Sequence, residues 1–299
     1  MCIAFFGSPE FVLPILSYLH KAFGVALVVT QPDKPVGRKQ ILTPTPVAQF
    51  AQKNSIEIYK DLSMFRKIDK LDVAIVAAYG LIIPKEILEI PKFGFINIHY
   101  SLLPKYRGAS PVQTAIVNGE KVTGTTIMRM DQELDHGEII AQKEVIIDEN
   151  DTSDILLNKL NEASLPLLDK ALRTIEITGQ LPPMTEQENN KATFTRRLTK
   201  EDGFIEFNSL KNAITSGLES NKVHNFIRGY FPWPGVWTTL PNGKRLKLIK
   251  SRIARHPELV SGSKKMLNQV QHDKLELLEV QLEGKQKTTD LNFLKEFLQ

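Results

Sequence analysis

The sequence predicts an α/β domain followed by a smaller, mainly β domain. Short, continuous apolar runs recur through the first half at Ile3 to Phe6, Val25 to Val29 and Val73 to Ala77, as parallel strands covered on both faces require. Helical patterns opened by Pro, Ser, Thr or Asp separate or follow them. Beyond about Lys200 the pattern changes to short alternating strands.

Taken in order, Ile3 to Phe6 is a strand, Ser8 and Pro9 offer a helix N-cap and first position, and Leu13, Leu16 and Leu19 share one helical face. Phe95 to His99 is another strand. Gly124 to Met130 and Glu138 to Val145 read as a strand pair around a loop containing Asp135. A long helix from about Thr152 to Ile177 opens at Asp151, Thr152 and Ser153 and ends at Gly179. This alternation describes a Rossmann-like α/β domain over residues 1–184. The stretch from Pro182-Pro183 to about Lys200 is polar and aperiodic, giving a linker at 185–203. A second domain, 204–299, carries a helix around Leu210 to Ile227 and then strands at Val236 to Leu240, Leu246 to Ile249 and Leu275 to Leu282, enough for a small barrel with Trp233 and Trp237 in its core. Residues 255–273, rich in turn formers, interrupt two of those strands and read as an inserted surface loop without a catalytic role.

The 299 residues suffice for two domains with separate cores. No run approaches the roughly 20 apolar residues that cross a bilayer, and no basic region followed by a long apolar segment opens the chain, so neither membrane nor secretion is expected. The lone cysteine, Cys2, excludes an internal disulfide and a multi-cysteine zinc site and suits a reducing cytoplasm. The six histidines have no metal-binding spacing, so no metal is expected. Met1 to Gln180 holds 19 Lys+Arg against 21 Asp+Glu, and the remainder 19 against 13, giving net charges of −2 and +6. A positive second half suits a polyanionic partner.

The most informative stretch runs from Gly94 to Gly108. Asn97 and His99 stand at i and i+2 of a strand, so both leave the same face with attachment points roughly 7 Å apart. They lie at the strand's carboxyl end, where open α/β sheets bind ligands. An amide donor and an imidazole there can serve one small reacting group.

Asn97-Ile98-His99, Ser101-Leu102-Leu103-Pro104, Tyr106-Arg107-Gly108 and the later Leu134-Asp135-His136-Gly137, in this order, resemble the core of the folate-dependent formyltransferase family. Further segments resemble those members that act on methionyl-tRNA: Phe6 to Phe11, Thr30 to Arg38, Ala78 to Pro84, Phe231 to Trp237, and Leu277 to Gln281 with Gly284-Lys285. The resemblance covers nearly the whole chain. It implies a Rossmann-like formyltransferase domain followed by a small OB-like β-barrel. It also implies transfer of formyl from 10-formyltetrahydrofolate to the amino group of initiator methionyl-tRNA, in the cytoplasm and by a monomer. By the same resemblance Asn97, His99 and Asp135 are catalytic. Ser101, Leu102, Leu103, Pro104, Tyr79, Gly80 and Leu81 surround the folate, and Arg38, Lys34 and Lys39 meet the tRNA acceptor end.

The chemistry asked of these residues is modest. The attacking amine must be neutral, charge developing on the formyl oxygen must be stabilised, and a proton must move. An imidazolium suits the second task, because the ordinary histidine pKa of about 6.5 is near working pH. A carboxylate at Asp135 favours the charged ring and can pass protons through water. Three departures from the family pattern stand out: Tyr100 and His136 replace small residues, and Gln40 and Ile41 replace lysines of the basic loop. Tyr100 is expected either to narrow the folate pocket or to point outward. Rival readings are a sugar-amine formyltransferase or formyltetrahydrofolate hydrolase on the same core, and an inactive RNA-binding protein. An NAD oxidoreductase is disfavoured because Gly7 is followed by Ser8-Pro9-Glu10 rather than a Gly-x-Gly-x-x-Gly turn.

Overall fold

The apolar runs become a seven-stranded sheet of order β10-β9-β7-β6-β1-β2-β5. The strands, as found in a computed structural model that describes residues 1–37, 39–65, 68, 70–254 and 273–298, are β1 (Ile3–Gly7), β2 (Leu27–Val29), β3 (Lys34–Val36), β4 (Ile41–Thr43), β5 (Glu57–Tyr59), β6 (Val73–Ala77), β7 (Phe95–His99), β8 (Arg107–Gly108), β9 (Val122–Arg129), β10 (Ile139–Ile146) and β11 (Phe194–Thr195). β5, β2, β1, β6 and β7 are mutually parallel; β9 and β10 extend the sheet antiparallel. Every residue of β1, β2 and β6 is buried, which explains why they read as continuous apolar runs rather than alternations. One face packs Phe6 edge-on against Phe65, Tyr79 and Phe95 at centroid distances of 5.0, 5.4 and 4.9 Å. Such pairs contribute about 0.5–1.5 kcal/mol each beyond area burial.

Strand order runs outward from β1 in both directions, to β2 on one side and to β6 on the other. The crevice at the carboxyl ends of β1 and β6 is therefore a topological switch point, the ligand position of open α/β sheets. The first helix begins later than Ser8: Glu10–Val12 forms a single 3-10 turn and α1 is Leu13–Ala22. The Ser8 hydroxyl is engaged elsewhere, accepting from Gln31 N–H at 3.2 Å and from Thr30 Oγ1 at 3.3 Å. The connection from β2 folds as a β3/β4 hairpin and then enters α2 (Pro46–Lys53), capped by Thr45 Oγ1 accepting from Ala48 N–H. The expected long helix runs Ser153–Thr178.

The chain separates into two compact units. One holds 1–111, 122–146 and 157–196; the other holds 112–121, 147–156 and 197–299. The sequence reading places the divide at 184 and 204 and misses the two excursions, because their partners are distant in sequence. Its linker, 185–203, also carries structure. Thr185 pairs with Ile139, and β11 pairs parallel with β8.

In the second unit, the expected helix from Leu210 to Ile227 is two helices, Phe207–Thr215 and Ser220–Gly229, broken at Gly217 and Glu219, both at positive φ. They cover a four-stranded antiparallel sheet of order β12 (Val236–Thr239), β13 (Arg245–Ala254), β14 (Lys274–Leu282), β15 (Lys287–Thr288). Leu210, Ile227, Val236, Leu246, Leu248 and Val280 form its core. Trp233 is not in that core, being 50% exposed at a Pro-rich turn. Trp237 stacks between Phe204 and the Arg245 guanidinium. The expected insertion at 255–273 lies, except for Asp273, outside the described residues.

The same unit contains a buried polar knot. The Glu149 carbonyl can only accept, so His224 Nε2 carries the proton donated to it at 3.1 Å, and Nδ1 accepts from Ser251 Oγ at 2.9 Å. Arg228 Nη1 donates to the Asp148 and Asp151 carbonyls. Burial is the main reason the His224 pKa lies below the ordinary imidazole value; its hydrogen bond to the Glu149 carbonyl opposes this, and the Arg228 charge, lowering, and the Glu149 charge, raising, act less strongly. A histidine with a depressed folded-state pKa stabilises the fold above its unfolded pKa of about 6.5 and loses that contribution as pH falls. The melting temperature of the wild-type chain should therefore drop more steeply between pH 7 and pH 5 than that of His224→Gln. Parallel curves would contradict this.

Candidate active site

Strand β7 delivers Asn97 and His99 to one face, and the loop between β9 and β10 brings Asp135 to meet them. Register pairs Asn97 with Met128 and His99 with Thr126, so the loop after β9 starts beside the amino end of β7, where Met130 N–H donates to the Phe95 carbonyl at 2.8 Å. Asn97 Nδ2 donates to Asp135 Oδ1 at 3.4 Å. His99 Nδ1 stands 3.6 Å from Asp135 Oδ2, with side chains only 6% and 12% exposed. The other ring nitrogen, Nε2, lies 2.9 Å from the Tyr106 carbonyl oxygen and must be the donor there. Gly108 N–H donates to Asp135 Oδ2 at 2.7 Å. Both nitrogens of His99 thus face oxygen acceptors, an arrangement that a doubly protonated ring satisfies. Burial of both side chains strengthens the hydrogen bonds that hold them.

Backbone conformation supports the same geometry. Asp135 has φ +47° and Tyr106 φ +60°, in the left-handed region where a non-glycine residue persists only if its surroundings hold it. Gly108, at φ +107°, leaves no room for a side chain: a Cβ there would sit 2.2 Å from the Thr195 carbonyl oxygen.

The loop at 101–105 is pinned from β9 and β10. Ser101 Oγ donates to the Lys105 carbonyl at 2.6 Å, and Thr126 Oγ1 donates to the Ser101 carbonyl at 2.6 Å. Leu103 N–H donates to Thr126 Oγ1, while Gln142 Nε2 donates to the Leu103 carbonyl at 2.9 Å. Ser101 and Leu103 are buried; Leu102 and Pro104 are half-buried. At the end of β6, Tyr79 turns its ring into the core against Phe6, and its carbonyl accepts from Gln31 Nε2 at 2.7 Å. Gly80 follows at φ +78°, and Leu81 is 51% exposed. This segment therefore presents glycine backbone and an apolar side chain to solvent.

Of the three residues expected at the tRNA, Lys34 is exposed and donates to Gln31 Oε1 at 2.6 Å, Lys39 is exposed, and Arg38 lies outside the described residues. Ile41 and Leu42 on the same hairpin are exposed.

Tyr100 does not point outward to solvent. It directly follows β7 and is buried, its hydroxyl donating to Asn161 Oδ1 at 2.8 Å and its ring edge-on to Phe11. Burial alone pushes its phenol well above the ordinary tyrosine range. Sequence reasoning missed the Tyr106 carbonyl, the Gly108 amide and the partners of Arg107. The Tyr106-Arg107-Gly108 motif was the available signal, but main-chain groups carry no side-chain signature. Among the described residues no group of three or more His, Cys, Asp or Glu is placed to hold a metal ion, and no helix is long and apolar enough to cross a membrane.

Comparison with known proteins bears on the family of the chain. The family model described as formyl transferase matches residues 1–172, and the one described as formyl transferase, C-terminal domain, matches residues 197–298. The methionyl-tRNA formyltransferase of Caldicellulosiruptor saccharolyticus is 38% identical over 313 aligned positions, covering 98% of this chain and 96% of that protein. The methionyl-tRNA formyltransferase of Macrococcus caseolyticus is 43% identical over 259, covering 84% and 80%. Among solved structures, an N-formyltransferase from Helicobacter canadensis, in complex with folinic acid and dTDP-3-aminofucose, superposes with a TM-score of 0.66 over 92% of this chain and 98% of that one, at 21% identity. That last likeness is one of fold.

Proposed function

From the premise that the chain belongs to the formyltransferase family, as a relative of the methionyl-tRNA formyltransferases, we propose that it transfers formyl from 10-formyltetrahydrofolate to the amino group of initiator methionyl-tRNA. The observation that carries this is the Asp135 carboxylate, which receives Gly108 N–H and is approached by both Asn97 and His99.

In this reading Asn97 orients the formyl oxygen with its amide hydrogens, and the His99 ring stabilises negative charge developing there. Preorganised donors of this kind are worth about a hundred- to a thousandfold each. Asp135 keeps the ring oriented, takes the proton released by the attacking amine through water and returns it to the folate nitrogen as the bond from that nitrogen to the formyl carbon breaks, a general acid–base role typically worth about a hundred- to ten-thousandfold. The amine reacts neutral, and no covalent enzyme intermediate is needed.

The donor fits the groups around this cleft. The pinned loop Ser101-Leu102-Leu103-Pro104 offers main-chain groups to read a flat heterocycle, and Leu102 offers an apolar face to cover it. Tyr79-Gly80-Leu81, at the switch point, adds backbone and a second apolar side chain. For the acceptor, the hairpin with Lys34, Arg38 and Lys39 meets the tRNA end. The second half, Leu181 to Gln299, carries the net charge of +6 and holds the tRNA body through its phosphates.

The test is formyl transfer from 10-formyltetrahydrofolate to charged initiator tRNA, with elongator methionyl-tRNA and an amino-sugar nucleotide as competing acceptors. Preference for the initiator is expected, and Arg38→Ala should depress turnover more than tRNA binding. Preference for the sugar nucleotide would overturn the assignment of acceptor.

A further inference from the structure

Arg107 is buried at 4% exposure, and its side chain is spent on neutral amides. Nε and Nη2 donate to Gln187 Oε1 at 3.1 and 2.7 Å, and Nη2 also donates to Asn189 Oδ1 at 2.7 Å. A guanidinium can only donate and a main-chain carbonyl can only accept. Gln187 lies between the two kinds of group, so its amide has a single workable orientation. Its oxygen faces Arg107, and its nitrogen donates to the carbonyls of Asp135 at 2.9 Å and Gly137 at 2.8 Å. Asn189 is set the same way: Nδ2 donates to His136 Nε2 at 3.1 Å, which leaves His136 Nδ1–H to donate to Asp131 Oδ2 at 2.6 Å. Two side chains from the 187–189 segment thus grip three consecutive residues of the Asp135 loop.

The backbone on either side of Arg107 touches the reacting groups. Tyr106 O takes the His99 Nε2 proton, and Gly108 N–H meets Asp135 Oδ2. Arg107 therefore joins the main chain that orients His99 to the side chains that hold Asp135. Both Tyr106 and Asp135 sit at positive φ, conformations that need such over-determination.

We infer that Arg107 and Gln187 are positioning residues of the formyl-transfer site, fixing the approach of the Asp135 carboxylate to His99; the inference rests on the formyltransferase reading above. His136, in place of the small residue common in the family, ties this chain's loop to the same clamp.

The test uses full-length Gln187→Met and Gln187→Glu. The first removes both ends of the bridge. The second keeps an acceptor for Arg107, so the buried cation stays paired, but loses the donors to the Asp135 loop. Misplacement of reacting groups by about 1 Å costs on the order of a hundredfold, so both variants should lose about 10- to 100-fold in kcat. KM for each substrate should stay within about threefold, the pattern of a lost transition-state interaction. A merely structural role would lower the melting temperature and leave kcat per folded molecule unchanged. Independently of turnover, the His99 ring resonances followed by NMR through pH in the unliganded chain should shift their midpoint in both variants. If Gln187→Met fails to fold, Gln187→Glu decides. Folded variants with wild-type kcat and an unmoved His99 titration overturn the inference. A wild-type chain that transfers no formyl while its His99 titration still responds to Gln187 would overturn the formyltransferase reading and leave the clamp standing.

Discussion

Replacing Asp135 with alanine should reduce formyl transfer by about a thousandfold or more, equivalent to about 4 kcal/mol of transition-state stabilisation. Three losses coincide. The proton acceptor disappears, the carboxylate 3.6 Å from His99 Nδ1 no longer faces the ring, and Gly108 N–H loses its 2.7 Å partner. An unpaired amide in this half-buried setting costs about 1–3 kcal/mol by itself. Asp135→Asn separates the terms, since it keeps an acceptor for Gly108 and removes the charge. His99→Ala should be comparably severe, and Asn97→Ala milder, because its 3.4 Å bond to Asp135 is long and its role is orientation. Steady-state kinetics on folded variants check all three. Turnover within a fewfold of wild type in Asp135→Ala would remove Asp135 from the chemistry.

The second large effect is expected at Gly137, two residues on. A Cβ built there would lie 1.8 Å from the Arg129 carbonyl oxygen and 2.9 Å from its carbon. Both are backbone atoms of the β9 end, where Arg129 N–H donates to the Glu138 carbonyl at 2.9 Å, so neither can swing aside as a flexible side chain would. Gly137→Ala must pry the loop from the strand and drag the carbonyl that Gln187 holds. Overpacking of this kind costs about 1–3 kcal/mol or more, and the displaced Asp135 should lower turnover by about a hundredfold. Gly179→Ala is the control: its site is open, with nothing within 4 Å, and only its φ of +66° is strained, a cost of roughly 1–2 kcal/mol. Denaturant midpoints and kcat measured on both variants decide the matter. Equal behaviour of the two would mean the β9 end yields easily.

Several of these features were legible in the chain itself. The i, i+2 placement of Asn97 and His99 follows from strand periodicity alone, and continuous apolar runs identified β1 and β6 as buried parallel strands because a strand covered on both faces has no polar position to spare. The strand pair around Asp135 and the helix closed by Gly179 were equally local, each marked by its own turn or cap residues.

Other features depended on partners far along the chain. Gln187 reaches an Asp135 carbonyl 52 residues away, and Arg107 reaches Gln187 across 80, so a polar, aperiodic stretch that read as a linker became part of the site. Tyr100 read as a possible obstruction of the cleft, and its direction was decided by an acceptor on a helix 61 positions later. Trp233 read as core, but the turn it occupies leaves half of it in solvent. Local pattern, then, determined which elements form and which faces they bury, because propensity and periodicity act over a few residues. The tertiary structure alone decided which main-chain N–H and C=O groups meet the reacting side chains, because every residue but proline carries that same donor and acceptor pair and only packing selects among them.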